Sequence, residues 1–282
     1  MVAKRIFRSA VLGTVLVASG CGTVATADVN SASPSEGPTV SEELVLRVEA
    51  VGGFTPPSWT YSRIPMVSIY ADGRVITEGP QVTIYPAPAM PNLQVATISR
   101  AKVDELVGAA RRAGVGATTD YGQPGVADAT TTRFTLVEDG TKATTEVYAL
   151  SETREEDPAL SAAQRQARER MRALLNTLRR PPGGDETSYA PTSLATVVSA
   201  YTAPGSETPP PARAWRGAAL PGPVVGPADL HCVTTSGDAL RDVLADAESA
   251  NVQTPWTYGG KQWSVAFRPL LPDETGCESL GK

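Results

Sequence analysis

His231 is the single imidazole among 282 residues, so a Ser-His-Asp or Cys-His hydrolase built on this chain would have to use it. No Gly-x-Ser-x-Gly turn is present to raise a serine nucleophile. The residue beside His231 is Cys232, and the pair reads either as a thiol next to a base or as a structural histidine beside a bridged cysteine. Glu152, Glu155, Glu156 and Asp157 could supply the carboxylate pair of a glycosidase. Placed just before a helical pattern, they read instead as partners of a helix dipole, and they lack the spacing of a calcium loop. Three cysteines and one histidine exclude zinc ribbons, His-rich metal centres and Fe–S clusters held within one chain. Gly260-Lys261 is no phosphate loop, because Gln262 replaces Ser/Thr and Pro255 replaces the first Gly. The expectation is therefore no metal, no cofactor and no catalytic residue.

Aromatic side chains are the better candidates for contact with a ligand. Phe54, Trp59 and Tyr61 lie in one proline-containing stretch, Phe54–Tyr61, and Trp256 opens another, Trp256–Trp263. Flat rings displayed on loops stack on sugars or peptides; the same rings could instead pack the core or cover sheet edges. Arg165, Arg168, Arg170, Arg172, Arg179 and Arg180 make a third cluster. It could touch anionic lipid headgroups, or form a solvated helix face with its stems lying over a sheet. The net charge of −5 argues against a nucleic-acid partner.

Lys4, Arg5 and Arg8 precede a short apolar run, Ala10–Ala18, which is too short to span a bilayer that needs about 20 residues. This is the layout of a signal peptide. It ends in Val17-Ala18-Ser19-Gly20-Cys21, which resembles a bacterial lipobox, with Ala18 where Leu is commonest. The resemblance implies diacylglyceryl transfer to the Cys21 thiol and cleavage before it. The alternative is a plain secretory signal cleaved near Ala25–Ala27. Cleavage before Cys21 removes three positive charges and leaves −8. Two acyl chains anchor stably where one does not, so the partner implied through Cys21 is the membrane, at its extracytoplasmic face. All but five of the 25 basic residues are Arg. With the lipobox and the stretches Tyr70–Ile76 and Phe267–Glu274, this resembles the many uncharacterised lipoproteins of actinobacteria.

Once Cys21 is lipidated, Cys232 and Cys277 remain, and an even pair in an exported protein reads as a disulfide. Residues 22–41 are small, polar and without periodicity, as in a flexible tether of roughly 25 Å reach. Leu44–Val51, which alternates from Val45 on, reads as a strand. Asp72-Gly73 and Asp139-Gly140 each lie between strand-like runs and predict type I′ hairpins. Weaker strand patterns cover Val82–Tyr85 and Leu93–Ala96. A helix is expected over Arg100–Ala113, capped by Ser99 and Gly114, and another from about Pro158 to Arg179, with an apolar stripe at three- and four-residue spacing. Pro181–Gly184 marks a boundary. Beyond it, Leu194–Tyr201 and Lys261–Arg268 read as strands, and Leu240, Val243, Leu244 and Ala247 as a helical stripe ending near Asn251.

The expected fold class is α+β: antiparallel sheets with helices packed on one face, and a smaller C-terminal α+β region stapled by a disulfide. The expected organisation is a signal peptide at 1–20, a tether at 21–41, an α+β domain at 42–182, a strand and Pro-rich linker at 183–212, and the C-terminal region at 213–282. The expected function is that of an exported, lipid-anchored envelope lipoprotein that binds an envelope protein or glycan. The alternative is a hydrolase acting on envelope material.

Overall fold

Eight residues form β1, Leu44–Val51, with Leu46 and Val48 fully buried. It is the third strand of a seven-stranded sheet. The other strands are β2 (Val67–Tyr70), β3 (Arg74–Glu78), β4 (Leu93–Thr97), β5 (Thr131–Glu138), β6 (Thr141–Tyr148) and β7 (Thr187–Ser188). They lie in the order β6-β5-β1-β2-β3-β4-β7, every neighbour antiparallel. Leu46 sits opposite Leu136 on one side, and Val48 opposite Val67 on the other. A register shift between Leu44 and Leu46 turns Leu44 to the opposite face of the sheet, away from Leu46. The computed structural model describes residues 43–81, 83–179, 185–204 and 210–281. The signal peptide, the lipobox with Cys21, the tether and the Pro181–Gly184 boundary lie outside them.

The two expected hairpins differ in their turns. Asp139 and Gly140 both have positive φ, as a type I′ turn requires. At Ala71-Asp72-Gly73 only Gly73 does, with φ +89°. Its amide donates to the Tyr70 carbonyl at 2.9 Å, as in a three-residue loop closed by one left-handed residue. A Cβ there would meet the Ile98 carbonyl oxygen at 2.2 Å, so only glycine lets the turn dock against the next connection. No strand forms over residues 83–85; the proline-rich connection instead docks on residues 250–252 through backbone hydrogen bonds.

Two helices cover one face of this sheet. Helix α2 spans Arg100–Ala113, with Ser99 accepting from the Lys102 amide and Gly114 left-handed at its end. It buries Val103, Leu106 and Ala110. Helix α3 spans Ala162–Leu178, four residues shorter at its start than the periodicity suggests. Asp157 accepts from the Ala159 amide in a turn, and Ser161 with Gln164 forms the capping box that sets the start. The acidic run Glu155–Asp157 thus precedes the helix instead of occupying its first turn. The arginine cluster is also not one solvated face. Arg168 is fully buried and donates to the carbonyls of Tyr121, Tyr148 and Ala149 and to the Thr153 hydroxyl at 2.7–3.2 Å. Arg172 donates to the carbonyls of Leu150 and Thr153. These bonds satisfy a turn in which Ala149 is held left-handed at φ +48°.

A second sheet contains β8 (Ser193–Ala200), β9 (Arg213–Ala214), β10 (Val224–Gly226), β11 (Leu230–Ser236), β12 (Trp256–Tyr258) and β13 (Lys261–Pro269), in the order β10-β11-β8-β13-β12-β9. Only the β12–β9 pairing is parallel. The expected strand at 194–201 is therefore central to this sheet, and β11, which the sequence pattern did not single out, lies beside it. A short helix, α1 (Pro57–Ser62), comes early in the chain, and α4 (Gly237–Ala247) ends four residues before Asn251. Helix α4 covers one face of the second sheet. Leu240 and Val243 pack there with Trp215, Trp256 and Phe267, whose rings stack or meet edge to face at 5.5–6.3 Å. Cys232 and Cys277 are bonded, with Cα atoms 6.0 Å apart. The molecule is thus an α+β protein whose C-terminal region carries a disulfide.

The residues that follow α1 and β13 pack on the face of the large sheet that α2 and α3 leave bare. Tyr70, Ile76 and Leu93 pack there against Ile64 and Leu271. This covers the β2–β4 half and leaves the β1–β5–β6 half open.

Candidate functional site

That open half is the floor of a cleft of about 710 Å3. On β1, β5 and β6 the residues that alternate with the buried ones point into it: Glu49, Arg133, Thr135, Thr144 and Glu146. One wall is α1, with Trp59, Thr60 and Tyr61. The other is the C-terminal segment, with Asp273, Glu274 and residues 279–281. Gly52 and Gly53, both at positive φ, turn the chain from β1 into the first wall. Pro57 at the first helical position starts α1. Arg63, its C-cap, donates to the carbonyls of Ala50 and Gly52 and lies 5.7 Å from the Trp59 ring centroid.

A buried ionic network joins the two walls to the floor. Arg47 of β1 donates to Ser68 at 3.0 Å and to Asp273 Oδ1 at 2.7 Å. The Tyr70 hydroxyl donates to the same oxygen at 2.7 Å. Arg268 donates to Glu274 at 2.8 Å and to the Arg63 carbonyl at 3.0 Å, and so fixes α1 on β13. Glu274 also accepts from the Leu271 amide at 2.8 Å. The Arg268 side chain is 2% exposed and its partner Glu274 6%. Desolvation pulls the Arg268 pKa down. At Arg47 desolvation acts the same way, but Asp273, Tyr70 and Glu274 outweigh it and leave the pKa raised. The network unites Tyr70–Ile76 and Phe267–Glu274, two stretches with no relation in sequence spacing.

Burial raises the Tyr70 phenol, and the Asp273 charge adds to it; burial also brings the half-buried Tyr189 up to about 12. An unfolded tyrosine ionises near 10. Below that pH both states keep the proton and stability is unaffected. Above it the unfolded chain loses the proton first, so stability falls as pH rises from about 10 toward the folded values. For Tyr70 the slope approaches roughly 1.4 kcal/mol per pH unit, and for the more exposed Tyr189 it is smaller. Urea melts at successive pH values above 10 should show this loss, and Tyr70→Phe should flatten it; an unchanged slope in that variant would count against the buried phenol as its source.

The aromatic residues singled out by sequence divide sharply. Phe54 is 90% exposed and Trp59 52%. Both belong to a stretch expected as a loop, of which residues 57–62 are helical because proline at the first helical position is pre-set for the helix. Tyr61 lines the cleft, yet its hydroxyl donates to the Val225 carbonyl and its ring lies close to Gly226 and Gly281, so much of it fastens α1 to the second sheet. Trp256 corrects the expectation of a displayed ring: it is 1% exposed, in the core under α4. Its residue begins a strand whose partner β13 returns after Gly259-Gly260, so the stretch is a hairpin and not a binding loop. His231 is on β11, bonded through Nδ1 to the Gly222 carbonyl at 2.8 Å, and Cys232 beside it is in the disulfide and not a thiol. Among the described residues no cluster of His, Cys, Asp or Glu could hold a metal, and no helix is long and apolar enough to cross a membrane. Arg47, Arg268, Asp273 and Glu274 were not legible as a group in the sequence.

Compared with known proteins, the chain matches no family model, no curated protein and no solved structure.

Proposed function

We propose that this chain is an exported lipoprotein, anchored at the extracytoplasmic face of the cell membrane through a diacylated Cys21, and that it acts by binding an envelope component in the cleft. The lipobox-like Val17–Cys21 supports the address. The Cys232–Cys277 bond agrees with it, since such bonds persist in oxidising compartments. The observation that carries the binding role is the cleft itself: about 710 Å3, beside a half-exposed Trp59, on walls held rigid by the buried ionic network. The lone histidine does not line it, so a histidine-based hydrolase gains no support from this geometry.

Two measurements test the proposal. Cys21→Ser should abolish labelling by a fatty-acid probe, and either release the body into the medium or leave the precursor uncleaved; mature Cys21→Ser protein that still carries the label would overturn the anchor. A photo-crosslinking residue at exposed Thr60, on the cleft wall, should capture an envelope component in intact cells. Yield no higher than from the same residue at Asp238, which is exposed on α4, would overturn the binding role.

A further inference from the structure

We infer that the ligand of this cleft is a glycan strand, read by hydroxyl hydrogen bonds along the β1–β5–β6 floor and by stacking on Trp59. The inference rests on the binding role proposed above and adds the chemical class of the ligand.

Apart from Lys142 on β6, which lines the cleft outside any ion pair, the charges of the floor and of the C-terminal wall are paired with one another. Arg133 lies between Glu49 at 3.5 Å and Glu146 at 2.8 Å, Arg47 holds Asp273 at 2.7 Å, and Arg268 holds Glu274 at 2.8 Å. The surface is polar and close to neutral, with five cationic side chains against four carboxylates. A polyanion would gain few uncommitted cations and would have to compete with existing pairs. Neutral hydrogen-bonding capacity remains. Thr135 and Thr144 are directly opposite each other on β5 and β6, and their hydroxyls line the cleft without a side-chain partner among the described residues. Asp273 receives both Tyr70 and Arg47 on Oδ1, which leaves Oδ2 to accept from a ligand hydroxyl. Its side chain is 22% exposed and lines the cleft.

Shape and backbone pairing narrow the class further. The floor follows β1 from Leu44 to Val51, roughly 26 Å at about 3.3 Å per residue, which suits a linear polymer better than a single small molecule. A peptide commonly adds to a free strand edge. Strands β1 and β5 are paired on both sides and only β6, at the rim, is an edge strand, so the middle of the floor offers side chains and no unpaired backbone. Trp59 supplies the apolar platform. Its indole is half exposed at the mouth and is braced by the Arg63 guanidinium.

The test is retention of the detergent-solubilised full-length protein on protease-treated, protein-free cell-wall polysaccharide, at physiological and at molar salt. Retention should be equal at both, because neutral hydrogen bonds and stacking are little screened. Trp59→Ala, and the double substitution Thr135→Val with Thr144→Val, should each lower the bound fraction about tenfold or more, with the unfolding midpoint unchanged. Release by salt, or full binding by Trp59→Ala, would overturn the glycan assignment. No retention, while the Thr60 crosslinker captures an envelope protein, would overturn the glycan class and leave the binding role standing. No retention and no adduct would overturn both.

Discussion

Glu274→Leu is expected to lower unfolding free energy by about 3–5 kcal/mol, among the largest effects of any single substitution in this protein. Glu274 is the carboxylate paired with Arg268, and both side chains are almost wholly removed from water. Taking two charges out of water is costly, and their mutual attraction offsets that cost only while both are present. Removing Glu274 leaves the Arg268 guanidinium buried beside Arg47 with Asp273 as the remaining carboxylate of the network, and takes away the acceptor to which the Leu271 amide donates. The double variant Glu274→Leu with Arg268→Met should be far less destabilised than Glu274→Leu alone, because it removes the uncompensated charge along with its partner. Urea titration of the single and double variants measures this directly. A single-variant loss below about 1 kcal/mol, or simple additivity of the two changes, would mean that the pair is not what couples the C-terminal wall to β13.

Removing the disulfide is expected to cost about 2–5 kcal/mol, and to loosen one wall of the cleft before the rest of the fold. Cys232 is in β11 and buried, and Cys277 follows the segment that carries Asp273 and Glu274. The bond closes a loop over a sequence separation of 45, for which the loss of unfolded-chain entropy is roughly 4 kcal/mol. Residues 270–281 contain no strand; Leu270 and Leu271 are buried at the start of the segment, and beyond them, apart from a short 3-10 turn at Cys277–Ser279, this bond and the ionic network are its main ties. In Cys232→Ala with Cys277→Ala, amide exchange should rise first in residues 270–281, while α2 and α3 stay protected. Uniform loss of protection across both sheets would show instead that the bond supports the fold as a whole.

The network also explains why short sequence stretches far apart can matter together. Tyr70 and Asp273 meet although 203 residues separate them, and Arg47 and Asp273 although 226 do. No periodicity, spacing or motif connects such positions. A charged residue in a strand reads as solvent-facing, and Arg47 departs from that expectation only because the C-terminal segment folds over it. Arg168 is the same case in a helix. Its place in an arginine-rich run suggested a solvated face, whereas its guanidinium satisfies carbonyls of a buried turn that no local pattern announces.

What the sequence by itself determined was whatever depends on near neighbours. The alternation of Leu44–Val51, the Ser99 and Gly114 caps of Arg100–Ala113, and the left-handed pair Asp139-Gly140 are governed by backbone dihedrals and by burial of one side of a short segment. The cysteine pair was legible because only two thiols remain once Cys21 is set aside. Tertiary structure decided which half-buried surfaces cover each other. It put Trp256 beneath α4 while Trp59 stayed at a cleft mouth, though both stand in similar aromatic stretches, because β9 and β13 flank β12 and none of the described residues buries the Trp59 face of α1. It inserted β11 beside β8, where mixed polar and apolar residues such as Thr234 and Thr235 carry no clear alternation but find partners in register. And it left the β1–β5–β6 half of one sheet face uncovered, since the burial of an exposed face depends on what the rest of the chain has to lay against it.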